Sequence, residues 1–241
     1  MLIPFRSWLL NRIGGPNPSY GFRKLFAYLR KSGKPWNHKK VYRIYKLLKL
    51  NKKRKGKRRL PERIKQPLVQ PDKINKSWSV DFISDSMVGN RKFRTFNVID
   101  DGTREALVID VDTSLSSKRI IITLEKVIAQ RGAPDSIRSD NGPEFTSKDF
   151  QLWCEGNKIA NQFIQPGKPM QNGYIERFNR LYREAVLDAF LFFDLDQVRQ
   201  LTEEWIDEYN HRRPHEGLQN MTPIERKNVL MKKEETKEMT V

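Results

Sequence analysis

The sequence predicts an α/β fold: a mixed five-stranded sheet with helices on both faces, preceded by a small basic all-α region. Three observations predict it. Strand-like alternation begins near Ser77 and recurs in two further runs. After the third run, strand-like and helix-like stretches alternate and then give way to helical periods alone. Before Ser77 the apolar spacing is helical and the charge is almost all of one sign.

The first region is short and cationic. Residues 20–32, YGFRKLFAYLRKS, place Phe22, Leu25, Phe26 and Leu29 on one helical stripe. Gly33, Lys34 and Pro35 end that helix. Asn37 reads as an N-cap for a second one, with Val41, Ile44, Tyr45 and Leu48 as its stripe. Two basic helices joined by a Gly-Pro turn suggest a helix-turn-helix whose second helix enters a DNA major groove through Lys39, Lys40 and Arg43. Residues 51–67 have no apolar period. Lys52, Lys53, Arg54, Arg58 and Arg59 make them an arm suited to tracking phosphates, and Pro61, Pro67 and Pro71 keep it extended.

Charge sharpens this division. The 241 residues carry a net +17, yet 21 of the 46 Lys and Arg fall within residues 1–65 against a single acid, Glu62. The remaining residues hold 25 basic and 28 acidic side chains. A positive block confined to one quarter of a chain is the footprint of a polyanion partner, nucleic acid first among them. One cysteine, Cys154, excludes an intrachain disulfide and a Cys-based zinc site and suits a reducing compartment. No apolar run approaches the roughly 20 residues of a membrane span. The opening MLIPFRSWLLNRIGG is broken by Arg6 and Arg12 and does not read as a signal peptide.

In the second region, SWSVDFIS sets Trp78, Val80 and Phe82 on one face and Ser79, Asp81 and Ile83 on the other. KFRTFNVID and REALVIDV follow as strands around the Asp101-Gly102 turn. An amphipathic helix spans 118–131 and stops at Gly132 and Pro134. IRS is a fourth strand. Thr146 with Asp149 resembles a capping box for a helix through Trp153. A fifth strand is expected over 158–164, one long helix from 172 to about 190, and another over 194–210. Thr222-Pro223 opens a last short helix, with a frayed KKEETKEMTV tail. His211 and His215 are spaced for a metal but lack further ligands. The expectation is that the RRPHEGL turn packs on the core with His215 hydrogen-bonded.

Three acids stand out. Asp81 lies within the first strand, Asp140 where the fourth strand ends, and Glu176 one turn into the long helix. Each alone has a structural reading, and for Asp140 that reading is an Asx turn. Together they could converge on one side of an open sheet, and carboxylates so placed repel unless a divalent cation sits among them. All-oxygen donors suit Mg²⁺ or Mn²⁺, and two such ions promote in-line attack on a phosphodiester. Glu144 is too near Asp140 to arrive from another element and ranks as secondary. Gly142 lets the backbone turn away, and Asn141 either orients Asp140 or contacts DNA. Lys168, Gln171, Asn172, Arg177 and Arg180 are candidate DNA contacts beside the site.

The stretches WSVDF, SDNGPEF and PGKPMQNGYIERFNR, with thirty-five residues between Asp140 and Glu176, resemble the catalytic core of retroviral-integrase-like DDE transposases. YNHRRPHEGLQNMTPIE resembles the segment closing that core, and YGFRKLFAYLRKSGKPWNHKKVYR the helices before it. The nearest likeness is to the downstream-frame product of bacterial insertion sequences read in two frames. The resemblance spans about Tyr20 to Arg226. It implies an RNase H-like fold, with Asp81, Asp140 and Glu176 as catalytic and metal-binding triad for two Mg²⁺ (or Mn²⁺) ions once DNA is bound. It divides the chain into a helix-turn-helix-like DNA-binding region (1–50), a basic linker (51–75), the catalytic core (76–190) and a C-terminal helical extension (191–241). It implies cleavage and strand transfer at element ends by a homo-multimer on double-stranded DNA, in the bacterial cytoplasm at the nucleoid. The upstream-frame protein is an implied partner. Residues 1–19, with Gly14, Gly15, Pro16 and Pro18, depart from the helix that usually precedes YGFRK, which leaves the N-terminal region short of the family pattern. Two rival readings follow: a non-catalytic DNA-binding relic or regulator, and a plain RNase H-type nuclease.

Overall fold

The structure, a computed structural model, describes residues 20–50, 70–164 and 172–238. Among the described residues two helices come first, α1 (Phe22–Lys31) and α2 (His38–Leu47). Their buried stripes meet as Leu25 and Leu29 against Val41 and Tyr45. Asn37 caps α2, accepting from the Lys39 backbone N–H at 2.8 Å. The 51–67 arm lies outside the described residues.

The sheet follows as β1 (Trp78–Ser86), β2 (Lys92–Asp100), β3 (Ala106–Asp112), β4 (Ser136–Ser139) and β5 (Ala160–Phe163), in the spatial order β3-β2-β1-β4-β5. The first three strands form an antiparallel meander, while β4 and β5 run parallel to β1. Period-2 alternation sends the strand residues to two separate cores. Trp78, Val80, Phe96, Val98 and Ile137 pack with α3 (Ser117–Arg131) and α5 (Lys148–Gly156) through Ile120, Leu124, Phe150 and Cys154. On the other face Ile83, Phe93, Ile99, Ile109 and Val111 pack with α6 (Gly173–Tyr182) and α7 (Leu195–Asp207) through Ile175, Phe178, Tyr182 and Trp205. Neighbouring strands and helices on both faces give the mixed sheet its predicted form.

Several boundaries differ from expectation, each for a local reason. Ser147, not Thr146, caps α5, its hydroxyl accepting from Phe150 N at 3.3 Å. Residues Pro143–Thr146 form a separate single turn, α4. The fifth strand is shorter than 158–164, because Lys158 turns through a left-handed conformation (φ 58°) before pairing begins. The long helix stops being regular at Tyr182 and widens into a π turn, Arg183–Leu187, that buries Ala185, Val186 and Leu187 in succession. The next helix does the same over Glu208–Arg212. There Asn210 grips the main chain of β3, bonding both Ala106 N and Ala106 O at 2.9 Å.

The closing helix, α8 (Pro223–Glu238), is 16 residues long and so longer than the short helix expected. It opens on a reciprocal box: Thr222 Oγ1 accepts from Glu225 N at 3.2 Å, and Glu225 Oε2 accepts from Thr222 N at 2.9 Å. The Thr222→Ala variant is expected to lose about 1 kcal/mol, lowering Tm by roughly 2–4 °C, and thermal melts check it. Glu225 also pairs with Lys31, while Tyr20 Oη donates to Glu208 at 3.3 Å beneath Arg213. The N-terminal helices therefore lean on the C-terminal layer.

Candidate active site

The face of the sheet beneath α6 carries the acids. Asp81 sits mid-strand on β1, where alternation turns it to the same side as Ser79 and Ile83. Strand β4 pairs beside β1 with Trp78 opposite Ile137 and Ser79 opposite Arg138. Continuing that register brings Asp140, the residue after β4, level with Asp81. Glu176 lies in the first turn of α6, which packs across β1 and β2. Residues far apart in the chain thus share one neighbourhood.

Electrostatics record the proximity. The Asp81 carboxyl is pushed up to about 6, first by burial and further by the carboxylates of Asp140 and Glu176. Hydrogen bonds oppose the rise: Phe82 N donates to Oδ1 at 2.8 Å and Asn179 Nδ2 donates to Oδ2 at 2.7 Å. Asp140 and Glu176 are exposed. Asp140 makes its Asx turn, Oδ1 accepting from Gly142 N at 3.0 Å.

The side chains are not drawn around one point. Among the described residues no three acidic, His or Cys side chains are grouped tightly enough to hold a metal ion. Repulsion between like charges favours this, with Asp81 and Asp140 each turned to donors of their own. The donor set nevertheless fits a hard divalent cation: three carboxylates from three elements, with one held above its ordinary range by burial and, to a lesser degree, by its neighbours.

Other predicted residues fall in varied settings. Lys39, Lys40 and Arg43 are exposed on α2, and Arg177 and Arg180 on α6. Asn172 is not an exposed contact. It is 5% exposed at the start of α6, and its Oδ1 has no hydrogen-bond partner. Lys52, Lys53, Arg54, Arg58, Arg59, Lys168 and Gln171 lie outside the described residues. Glu144 is taken up by Arg94, whose guanidinium lies 4.1 Å above the Phe82 ring. Gly142 has an ordinary extended φ of −61°, so its role is space rather than conformation. A Cβ there would come within 3.0 Å of Asp140 Oδ1.

His211 lies 3.0 Å from Asp207. His215 packs edge-on against Tyr209, with ring centroids 4.8 Å apart, and its Nε2 has no hydrogen-bond partner. Burial, with Arg213 and Lys24 nearby, lowers its pKa well below the usual value and keeps it neutral. His215 is hydrogen-bonded through its backbone, N donating to Met221 O at 3.0 Å, while the ring packs on the aromatic edge with Nε2 unbonded.

Sequence reading missed Asn97. It is the antiparallel partner of Asp81 and is fully buried. The only signal was its place in the alternation of KFRTFNVID, where it falls on the same face as Thr95.

Comparison with known proteins adds an independent line. Two models, both described as an integrase core domain, match residues 71–169 and 157–223, and a model of an HTH-like domain matches 16–58. The chain is 38% identical over 208 residues to the insertion element IS476 uncharacterized 39.2 kDa protein of Xanthomonas euvesicatoria, covering 86% of this chain and 60% of that protein. It is 36% identical over 206 residues to the insertion element IS407 uncharacterized 31.7 kDa protein of Burkholderia multivorans, covering 86% of this chain and 74% of that one. In fold it is similar to the catalytic core domain of HTLV-2 integrase, solved with magnesium in a dimeric form. The TM-score is 0.51 at 20% identity, over 63% of this chain and 94% of that one.

Proposed function

The chain belongs to the integrase-core family of insertion-sequence transposases, with an RNase H-like core and an HTH-like region, and from that premise we propose that it cleaves DNA at insertion-sequence ends and joins the freed 3′ ends to a target strand. The observation that carries this reading is the Asp81 carboxyl, half-buried mid-strand and raised to about 6, first by burial and further by the nearby carboxylates of Asp140 and Glu176. A fold gains nothing from that repulsion, whereas a site for cations uses it.

Asp81, Asp140 and Glu176 would hold the metal. Bound there, Mg²⁺ or Mn²⁺ supplies activation of the attacking oxygen and charge neutralisation at the scissile phosphate. The protein's own share is positioning and electrostatics. Asp81 is fixed by two hydrogen bonds on the central strand. Arg177 and Arg180, exposed beside Glu176, carry the charge to seat a DNA backbone. Lys39, Lys40 and Arg43 present a cationic face on the second helix of the hairpin, where a recognition helix meets the major groove. Joining an end to a target requires two ends held together, so the working form is a homo-multimer on DNA, with the upstream-frame protein as a further partner. Among the described residues no helix is long and apolar enough to cross a membrane, and the place of action is the cytoplasm.

Labelled duplex ends incubated with Mg²⁺ and the full chain, beside an Asp140→Asn variant, test the reading. Cleavage and joining are expected from the unaltered chain, with a fall of about 10²-fold or more in the variant. Equal activity in both would remove the triad assignment. Binding without cleavage would favour the regulator, and cleavage without joining the nuclease.

A further inference from the structure

Asn97 has no evident structural reason to be an amide. It lies at the centre of β2, with 0% of its surface exposed. An amide buried there carries a desolvation penalty that an apolar or β-branched residue would avoid. Only part of the penalty is recovered, because Asn97 Oδ1 has no hydrogen-bond partner.

Its other end is engaged. Asn97 Nδ2 donates to Asn179 Oδ1 at 2.7 Å. Asn179 in turn donates from Nδ2 to Asp81 Oδ2 at 2.7 Å. The three side chains come from β2, α6 and β1 and form one directed chain of donors ending on a carboxylate. Direction is the important property. An Asn at position 179 can present either its nitrogen or its oxygen to Asp81, and the oxygen would repel a carboxylate. The donor from Asn97 occupies Asn179 Oδ1 and so reinforces the orientation, favoured by the Asp81 carboxylate, that presents nitrogen. Meanwhile Phe82 N holds the other oxygen of Asp81. The carboxylate is fixed from two sides, and each oxygen still has a lone pair to coordinate with.

We propose that Asn97, acting through Asn179, is a positioning residue that sets the orientation of the Asp81 carboxylate for a divalent cation. This deepens the reading given under Proposed function and rests on it. Partners that orient metal-binding side chains change metal affinity by about 10- to 100-fold when removed. Neither asparagine touches the reacting atoms in this scheme. Both act only through Asp81.

The test is Mn²⁺ binding to the full chain, followed by electron paramagnetic resonance. Three proteins are compared: unaltered, Asn97→Leu and Asp81→Asn. Leucine keeps the branch at Cγ of Asn97, is somewhat larger, and removes its donor. About tenfold weaker binding in Asn97→Leu, with a cooperative thermal melt retained, is the expected result. A purely structural role would lower Tm and leave Mn²⁺ affinity unchanged, and that result overturns the proposal. The Asp81→Asn protein separates the two levels. If it binds Mn²⁺ as well as the unaltered chain, the metal site itself is wrong. If binding depends on Asp81 but not on Asn97, only the positioning role falls. Should Asn97→Leu not fold, solvent exchange of the side-chain amide protons in the unaltered protein decides. Slow exchange at both Asn97 and Asn179 is expected, and exchange as fast as that of an exposed amide at Asn179 overturns the relay.

Discussion

Replacing Asp81 with asparagine is expected to make the protein more stable and to abolish its chemistry. The substitution keeps the shape, removes a partly buried charge and ends the repulsion from Asp140 and Glu176, gains that outweigh setting its NH2 against one of the two donors, Phe82 N or Asn179 Nδ2. The sign follows from the pKa. The folded-state value of about 6 lies above the ordinary 3.8, so between those values the folded protein holds a proton that the unfolded chain has released. Stability contributed by the protonated form is present below about pH 4, declines as pH rises toward 6, and stays lost above that. At neutral pH the Asp81→Asn variant should gain on the order of 2 kcal/mol, or roughly 4–8 °C in Tm. The gain should shrink toward zero near pH 4. On the proposed reading, end cleavage should fall by about 10³-fold, because one of three cation-holding carboxylates is replaced by a neutral amide. Melts at pH 4 and pH 7.5, beside a cleavage assay, check both halves. A variant that is less stable at pH 7.5, or as active as its parent, would show that the environment of Asp81 is not a functional strain.

The largest structural loss is expected at Arg131. Its guanidinium is 9% exposed and faces two buried acids, with Nη1 at 2.6 Å from Glu105 Oε2 and Nη2 at 3.6 Å from Asp100 Oδ2. Asp100 is itself wholly buried and organises the chain around it. It accepts from Gly102 N at 2.8 Å, Thr103 N at 3.0 Å and Asn75 N at 2.9 Å. Lys227 reaches Glu105 at 3.7 Å and offers partial compensation. Arg131→Ala strands two carboxylates in a poorly solvated place and should lower stability by about 3–5 kcal/mol, a Tm fall of roughly 10 °C or more. Arg131→Lys should fall between, since an ammonium keeps the charge but cannot fork to both acids. A double-mutant cycle gives the decisive reading: Arg131→Met should be partly rescued by Glu105→Gln, because the stranded charge is then gone. Strictly additive losses would mean that the three groups do not form one unit.

Much of this architecture was legible in the chain. Alternation in SWSVDFIS assigned Asp81 to the face opposite Trp78 and Val80, and the structure buries those two in one core while α6 covers the other side. The Asn37 cap and the apolar stripes of the first two helices were equally plain, because such signals are local. Helix ends were less readable. The π turns after Tyr182 and Asp207 depend on tertiary burial, which a 3.6-residue period cannot express. Asn97 and Arg131 were invisible for a different reason. Each matters through a partner fixed by strand register or by helix docking, and neither relation is written in the neighbouring residues. Asn172 misled because polarity beside a candidate site reads as contact, whereas its side chain turns inward.

The central strand pairs with β2, made just after it, and with β4, made some sixty residues later, while Glu176 arrives later still. On the proposed reading, a chain emerging from the ribosome carries no complete set of acids until the long helix has been synthesised and has docked. The order of synthesis then makes the assembly of the three acids one of the later events in folding, set by the arrival of α6.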